Sequence, residues 1–159
     1  MWFRPVYAVR HVVTAIGCIA LAVGVSAPGH ARTPLVTESE AQLPPPAANE
    51  LSRRAVTRGP TIRALSPDTD VTPVRANEPF RLAMEFVARG GARIDPASIR
   101  VTYLRASPVN ITSRLQSFST ANGIQVQDAV LPAGEHTLRV DVSDDQGRTS
   151  TTLLSIRAR

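Results

Sequence analysis

Three aspartates crowd together near the end of the chain: Asp141, Asp144 and Asp145, in the run DVSDDQG. Calcium takes about six to eight oxygen ligands, and carboxylates at one hairpin end, helped by backbone carbonyls, can supply several of them. The spacing D-x-x-D-D-x-G matches no recognised calcium loop. Asp and Gly are also the usual residues of a tight turn. Two readings therefore stand side by side: a calcium site at Asp141, Asp144 and Asp145, or a bend between two strands. Asp68 and Asp70 in SPDTD form a second acidic pair with the same turn chemistry.

Other chemistries find few residues to use. Glycoside hydrolysis needs two facing carboxylates, and between residues 61 and 159 the glutamates are Glu78, Glu85 and Glu135, with nothing in their spacing to set two across a cleft. A serine hydrolase of the nucleophile-elbow type needs G-x-S-x-G, which the chain lacks. Sugar stacking needs exposed aromatics, and Tyr103, the one Tyr or Trp beyond residue 31, alternates inward with Val101. A copper site starting from His30 as a mature N-terminus would need further nitrogen or sulfur ligands, and the candidates are His136 and the core residue Met84. Asn110-Ile111-Thr112 is a glycosylation sequon with meaning in a eukaryotic secretory path.

The first 31 residues explain part of this scarcity. Arg4 and Arg10 precede HVVTAIGCIALAVGVSA, and PGHA follows with Gly29 and Ala31 at the −3 and −1 positions of a cleavage site. That is the layout of a secretory signal, residues 1–31. The apolar run Val12 to Ala27 is 16 residues, short of the roughly 20 that a membrane span requires, so membrane attachment is expected only through an uncleaved signal. Cys18 in AIGC resembles a lipoprotein cleavage box, with Ala15 where the usual Leu stands. Cleavage after Ala31 removes Cys18, Trp2, Tyr7, His11 and His30, leaving His136 as the sole imidazole and no Cys, Trp or Lys. Disulfides, thiolate catalysis, Cys-based zinc sites and Schiff-base chemistry go with them. An exported domain of this kind must rest on its hydrophobic core.

All 18 basic residues are Arg, and beyond residue 31 there are 16 against 13 acids, a net of +3. They are scattered among Asp and Glu rather than gathered on one face, which argues against nucleic acid as a partner. Residues 32–60 carry Pro44-Pro45-Pro46, few large apolar residues and no sustained period, and read as a disordered Pro-rich linker. From residue 61 the pattern changes to period 2. Phe80, Leu82, Met84 and Phe86 face one way; so do Ile99, Val101 and Tyr103, then Ile124 and Val126, then Leu138, Val140 and Val142. Thr112 to Thr120 reads as a weaker polar strand, and Thr149 to Ile156 as a β-branched last strand. Seven or eight strands with turns between them and no convincing helix predict an all-β fold, a single antiparallel β-sandwich over 61–159, with a barrel as the alternative.

Placed on these strands, LPAGEHTLRVDVSDDQGR, preceded by IDPASIRVTY, resembles bacterial immunoglobulin-like domains of extracytoplasmic proteins. The resemblance spans residues 61–159 and implies a fold, not an activity. Immunoglobulin and fibronectin type III domains carry a corner Tyr near the place where His136 stands; the resemblance implies that His136 bonds back into LPAG as a structural pin. The expectation is an exported, non-catalytic immunoglobulin-like module without a cofactor. It would serve a structural or protein-interaction role in the periplasm or cell envelope and meet an envelope or periplasmic protein. Contact would come through a sheet edge or through the Arg-rich loops ARGGAR (88–93) and YLRASPVN (103–110). The alternative expectation is a calcium-dependent binding protein or enzyme accessory domain using the acidic turn 141–147.

Overall fold

The computed structural model describes residues 32–47, 58–68 and 72–159. The expected signal 1–31 and Asp70 lie outside these residues. Among the described residues nine strands and two single-turn helices follow one another. They are β1 (Thr33–Pro34), α1 (Glu38–Ala41), β2 (Thr61–Ser66), β3 (Phe80–Val87), β4 (Arg100–Tyr103), β5 (Val109–Asn110), α2 (Thr112–Leu115), β6 (Ser119–Thr120), β7 (Gly123–Val130), β8 (Gly134–Ser143) and β9 (Thr149–Ala158).

They form two sheets. One runs β1-β7-β3-β2 with β6 attached to β7; the other runs β5-β4-β8-β9. Among the described strands the pairings are antiparallel except that of β1 with β7; an isolated parallel bridge joins Val74 to Ala158. Chain neighbours β3 and β4 sit in different sheets, as do β7 and β8, so the connections cross between layers as in a Greek-key immunoglobulin-like sandwich.

Alternation explains the layers. Leu82, Met84 and Phe86 on β3 and Ile124 and Val126 on β7 are buried, and they face Val101 and Tyr103 on β4 and Leu138, Val140 and Val142 on β8. Charged and polar residues take most of the intervening positions, with the buried Ala83 on β3 as an exception, so each strand has a dry face and a largely wetter one. Strand β7 lies unusually close to β3 at Gly123: a Cβ there would fall 1.9 Å from the Met84 carbonyl oxygen. Its φ of +150° is also one that side chains rarely adopt.

Two expectations change. Residues 112–118 are not a polar strand; of the expected 112–120 stretch only Ser119 and Thr120 are extended, as β6. Ile111, Leu115 and Phe118 recur at helical spacing, and the segment coils as α2 and a following 3₁₀ turn so that Ile111 and Leu115 are buried, with Phe118 packed against the core. Nor is the whole of 32–60 a linker. Residues 33–44 lie along the sandwich as an arm. Leu35 and Val36 are 0% and 3% exposed, part of the same core as the strands. The stretch 48–57 lies outside the described residues.

Candidate functional site

The acidic turn is built around Asp144, which is buried. Its Oδ1 accepts from the amides of Gln146 (3.0 Å) and Arg148 (2.9 Å), and its Oδ2 accepts from Arg148 Nε (2.7 Å). Burial alone would raise this carboxyl, yet the Arg148 amide, the Arg148 guanidinium and the Gln146 amide together hold it below its ordinary value. Gly147, at φ +74°, closes the turn with its amide on the Asp144 carbonyl. Asp145 exchanges bonds with Arg93, and Arg148 Nη2 reaches the Arg89 carbonyl at 2.8 Å. Asp141 faces the other side of the strand, taking the Thr151 hydroxyl (2.6 Å) and Arg139 Nε (3.2 Å). Asp141, Asp144 and Asp145 thus spend their oxygens on three separate sets of protein donors. Among the described residues no group of three or more His, Cys, Asp or Glu gathers to hold a metal ion. The turn works as a clamp that fastens the loop after β3, the expected ARGGAR surface, to the β8–β9 hairpin.

At the opposite end of β4 a buried polar chain replaces the acidic clamp. His136, the third residue of β8, is 1% exposed. Its Nε2–H donates to the Pro132 carbonyl at 2.9 Å, which leaves Nδ1 to accept from the Tyr103 hydroxyl at 3.1 Å. The Tyr103 oxygen in turn accepts from Arg105 Nε, and Arg105 Nη2 donates to the Glu135 carbonyl at 3.0 Å. Each of these four bonds pairs a donor with an acceptor when the imidazole is neutral. Burial lowers the His136 pKa, and the nearby Arg105 charge adds to that; the bond to Pro132 opposes them. Burial likewise raises the Tyr103 hydroxyl, against the pull of Arg105. The imidazole therefore ties the β7–β8 corner to β4. Its two nitrogens are both occupied, and so are the parts of the YLRASPVN loop nearest to it.

The third cluster was missed from sequence. Thr37 caps α1 with a reciprocal capping box: its hydroxyl accepts from the Glu40 amide at 3.3 Å, and the Thr37 amide donates to Glu40 Oε2 at 2.8 Å. That box presents the Glu40 carboxylate to Arg114 on α2, whose Nη1 and Nη2 bind it at 2.8 and 2.7 Å. The Arg114 bond drives the Glu40 pKa down from 4.5 to about 2. Arg114 Nη1 also binds the Leu35 carbonyl at 2.8 Å. The arm then reaches the β4–β5 loop, where Ala106 N donates to the Pro44 carbonyl at 2.9 Å. The signal was present in Leu35-Val36-Thr37-Glu38-Ser39-Glu40: two apolar residues ahead of T-x-x-E, the mark of a capped helix.

An open groove of about 770 Å³ lies over β4 and α2, lined by Pro96, Ile99, Arg100, Asn110, Ser113 and Gln116 among others. Two of its polar side chains have protein partners: Arg100 Nη1 binds the carbonyls of Ala97 and Ile99, and Asn110 Oδ1 accepts from the Thr112 amide. No helix among the described residues is long and apolar enough to cross a membrane.

Comparison with known proteins returns little. No family model matches the chain, and no curated protein matches it. Among solved structures it is similar to the fibronectin(III)-like modules of Clostridium thermocellum CbhA, at 14% identity over 62% of this chain and 97% of that one, with a TM-score of 0.39. The assignment to an immunoglobulin-like sandwich rests on the strand order and the core.

Proposed function

We propose that the protein is an exported, non-catalytic immunoglobulin-like module that serves a structural or protein-interaction role in the periplasm or cell envelope. One observation carries this reading. The side chains that could do chemistry (His136, Tyr103, Asp144 and Glu40) are each held by internal partners that fix the fold. The sandwich is the product; its surface is the interface. The supporting feature for a partner contact is β9, which forms the edge of its sheet and carries no charged residue from Thr149 through Ile156. An extended segment of an envelope or periplasmic protein adding to that edge is the mode of contact this reading favours.

Two measurements test it. N-terminal sequencing of the protein recovered from a periplasmic fraction should begin at Arg32; recovery only from the cytosol, with Met1 retained, overturns the export reading. Capture from periplasmic extract should give a specific partner that is lost on Ser155→Lys, an exposed edge position, without loss of thermal stability. Capture unaffected by that change would remove β9 from the reading.

A further inference from the structure

The groove over β4 and α2, at about 770 Å³, falls within the roughly 300–1,000 Å³ of ligand sites. Its walls are fixed from within. On one side Asp95 caps the 3₁₀ turn Pro96–Ser98 by accepting from the Ala97 amide at 2.9 Å, and the Ser98 hydroxyl fastens that turn to the Ser143 carbonyl at 3.1 Å. On the other side the Thr112 hydroxyl accepts from the Val101 amide at 2.9 Å, and Glu40 of the arm holds Arg114 of α2 by two hydrogen bonds. Walls held this way need little ordering when a ligand binds. The groups facing the groove are only partly used. Arg100 Nη1 donates to the Ala97 and Ile99 carbonyls at 2.7 and 3.0 Å, which sets the guanidinium plane, while Nε and Nη2 meet no partner among the described residues. Those two N–H groups form one edge of the fork that matches a carboxylate. Asn110 Oδ1 accepts from the Thr112 amide, which leaves Nδ2 to donate elsewhere. The side chains of Ser113 and Gln116 are exposed and have no partner among the described residues.

We propose that this groove binds an extended peptide segment bearing an aspartate or glutamate side chain, with the carboxylate on the Nε–Nη2 edge of Arg100 and the peptide groups on Asn110, Ser113 and Gln116. Charge sets the first half of that identity. The lining carries one cation and no carboxylate. Asp141, the cross-strand neighbour of Arg100, is engaged by Thr151 and Arg139, and the adjacent Asp95 is turned into its own cap. The neutral groups set the second half. Side-chain amides both donate and accept, as a peptide group does, and Pro96, Ala97 and Ile99 give an apolar lining for the flanking side chains. An acidic sugar would meet the same cation but find no aromatic ring in the lining to stack on. The groove lies at the β5 side of its sheet and β9 is the opposite edge, so this site stands independently of strand addition there.

Amide NMR titration with two probe peptides tests this directly. Acetyl-Ala-Ala-Glu-Ala-Ala-amide should shift the amides of residues 97–100 and 110–119 saturably. It should bind at least about tenfold more tightly than the same peptide with Gln at its centre, the worth of one charge-assisted contact. Arg100→Gln should erase that difference and leave the binding of the Gln peptide unchanged. Because Arg100 also pins the Ala97 carbonyl, Gln116→Glu serves as a second variant: it breaks no side-chain bond and should keep the thermal midpoint, yet it places a carboxylate in the lining and should weaken the Glu peptide about tenfold or more. Equal binding of the two peptides overturns the proposal, as does the lack of saturable shifts at these residues up to about 10 mM peptide. Full affinity for the Glu peptide in Gln116→Glu overturns it equally. Acetate that reproduces the same shifts at the same concentration reduces the groove to a bare anion site, and glucuronate that binds more tightly than the peptide transfers it to acidic saccharides; either result overturns the peptide as occupant.

Discussion

Replacing His136 with Phe, or simply lowering the pH, should dismantle the corner that joins β4 to β8. The imidazole is 1% exposed, with Nε2–H on the Pro132 carbonyl and Nδ1 on the Tyr103 hydroxyl. Phe keeps the apolar volume but orphans a buried carbonyl and a buried hydroxyl. At about 1–3 kcal/mol for each unsatisfied buried group, and with Tyr103 still held by Arg105, the loss at pH 8 should be about 2–4 kcal/mol. Tyr103→Phe should cost less, about 1–2 kcal/mol, because Arg105 is only half-buried and can turn to water. The double variant should fall short of the sum, since both changes remove the same bond.

The pH arm of the same experiment follows from proton linkage. Burial lowers the folded-state pKa of His136 below its ordinary 6.5, so the unfolded chain binds the proton more tightly. Stability is then complete above pH 6.5 and falls as the pH drops below it, by at most about 1.4 kcal/mol per unit. Protonation would also place a hydrogen on Nδ1 where the Tyr103 hydroxyl already points one. Between pH 7.5 and pH 5 a ring that stays neutral loses up to about 2 kcal/mol. Urea unfolding of the chain from Arg32 onward reads this cleanly, because His136 is its sole imidazole. A wild-type stability flat across that window, or a slope that survives in His136→Phe, would refute the neutral, doubly bonded imidazole.

Other outcomes follow from the remaining clusters. Leu35→Ala, at 0% exposure, should cost about 2–5 kcal/mol by chemical denaturation, as a core position and not a linker one. Glu40→Gln should cost about 1–3 kcal/mol at pH 7; because the Glu40 pKa is depressed from 4.5 to about 2, that difference should shrink as the pH falls through this range and be gone at its lower end. Gly123→Ala should destabilise by about 2–4 kcal/mol, since the added methyl meets the Met84 carbonyl, and should shift the thermal midpoint accordingly. Calcium in excess should leave the thermal midpoint where a chelator leaves it, because the Asp141, Asp144 and Asp145 oxygens are already bound by protein donors; a rise in calcium would reopen the metal reading.

What could be read from the chain alone divides along a physical line. Period-2 alternation is imposed by the strand itself, so Leu82, Met84, Phe86, Val101, Tyr103, Val140 and Val142 declared their side of the sandwich directly. The segment 111–118 hid its turn of helix because Thr and Ser have strand-compatible propensity and three apolar residues at helical spacing make a short signal. The arm was hidden by its neighbour. Pro44-Pro45-Pro46 lent the whole of 32–60 the composition of a linker, although Leu35, Val36 and the T-x-x-E box already specified a docked element. Of the candidate site, the single His of the late strand stood out in the sequence, and its ring bonds the Pro132 carbonyl; the partner of Glu40 did not stand out, since Arg114 lies 74 residues away and only the fold brings it there.

Both ends of the sandwich are fastened, and this bears on where a partner can bind. At one end Asp144, Arg148 and Asp145 lock the loop after β3 to the β8–β9 turn. At the other, Tyr103, His136 and Arg105 lock the corner before β8 to β4, and the arm ties β7 to the β4–β5 loop. Loops held by their own backbone and side-chain bonds have little freedom to remodel around a ligand, which turns attention to the strand edges. Natural edges are blunted by shortness, charge, proline or bulges. Strands β1 and β5 are two residues each; β2 carries Arg63 and a bulge at Leu65. Strand β9 has none of these over its first eight residues and is bridged by Val74 at Ala158. It lies across the sandwich from β1, since β2 and β9 end their sheets on one side and β1 and β5 on the other. Residues 74–76 bond the end of β9 at Arg157 to Arg159, and Gly59 packs against its start at Thr149 and Ser150. Strand addition would thus use the middle of β9, on the flank opposite the arm.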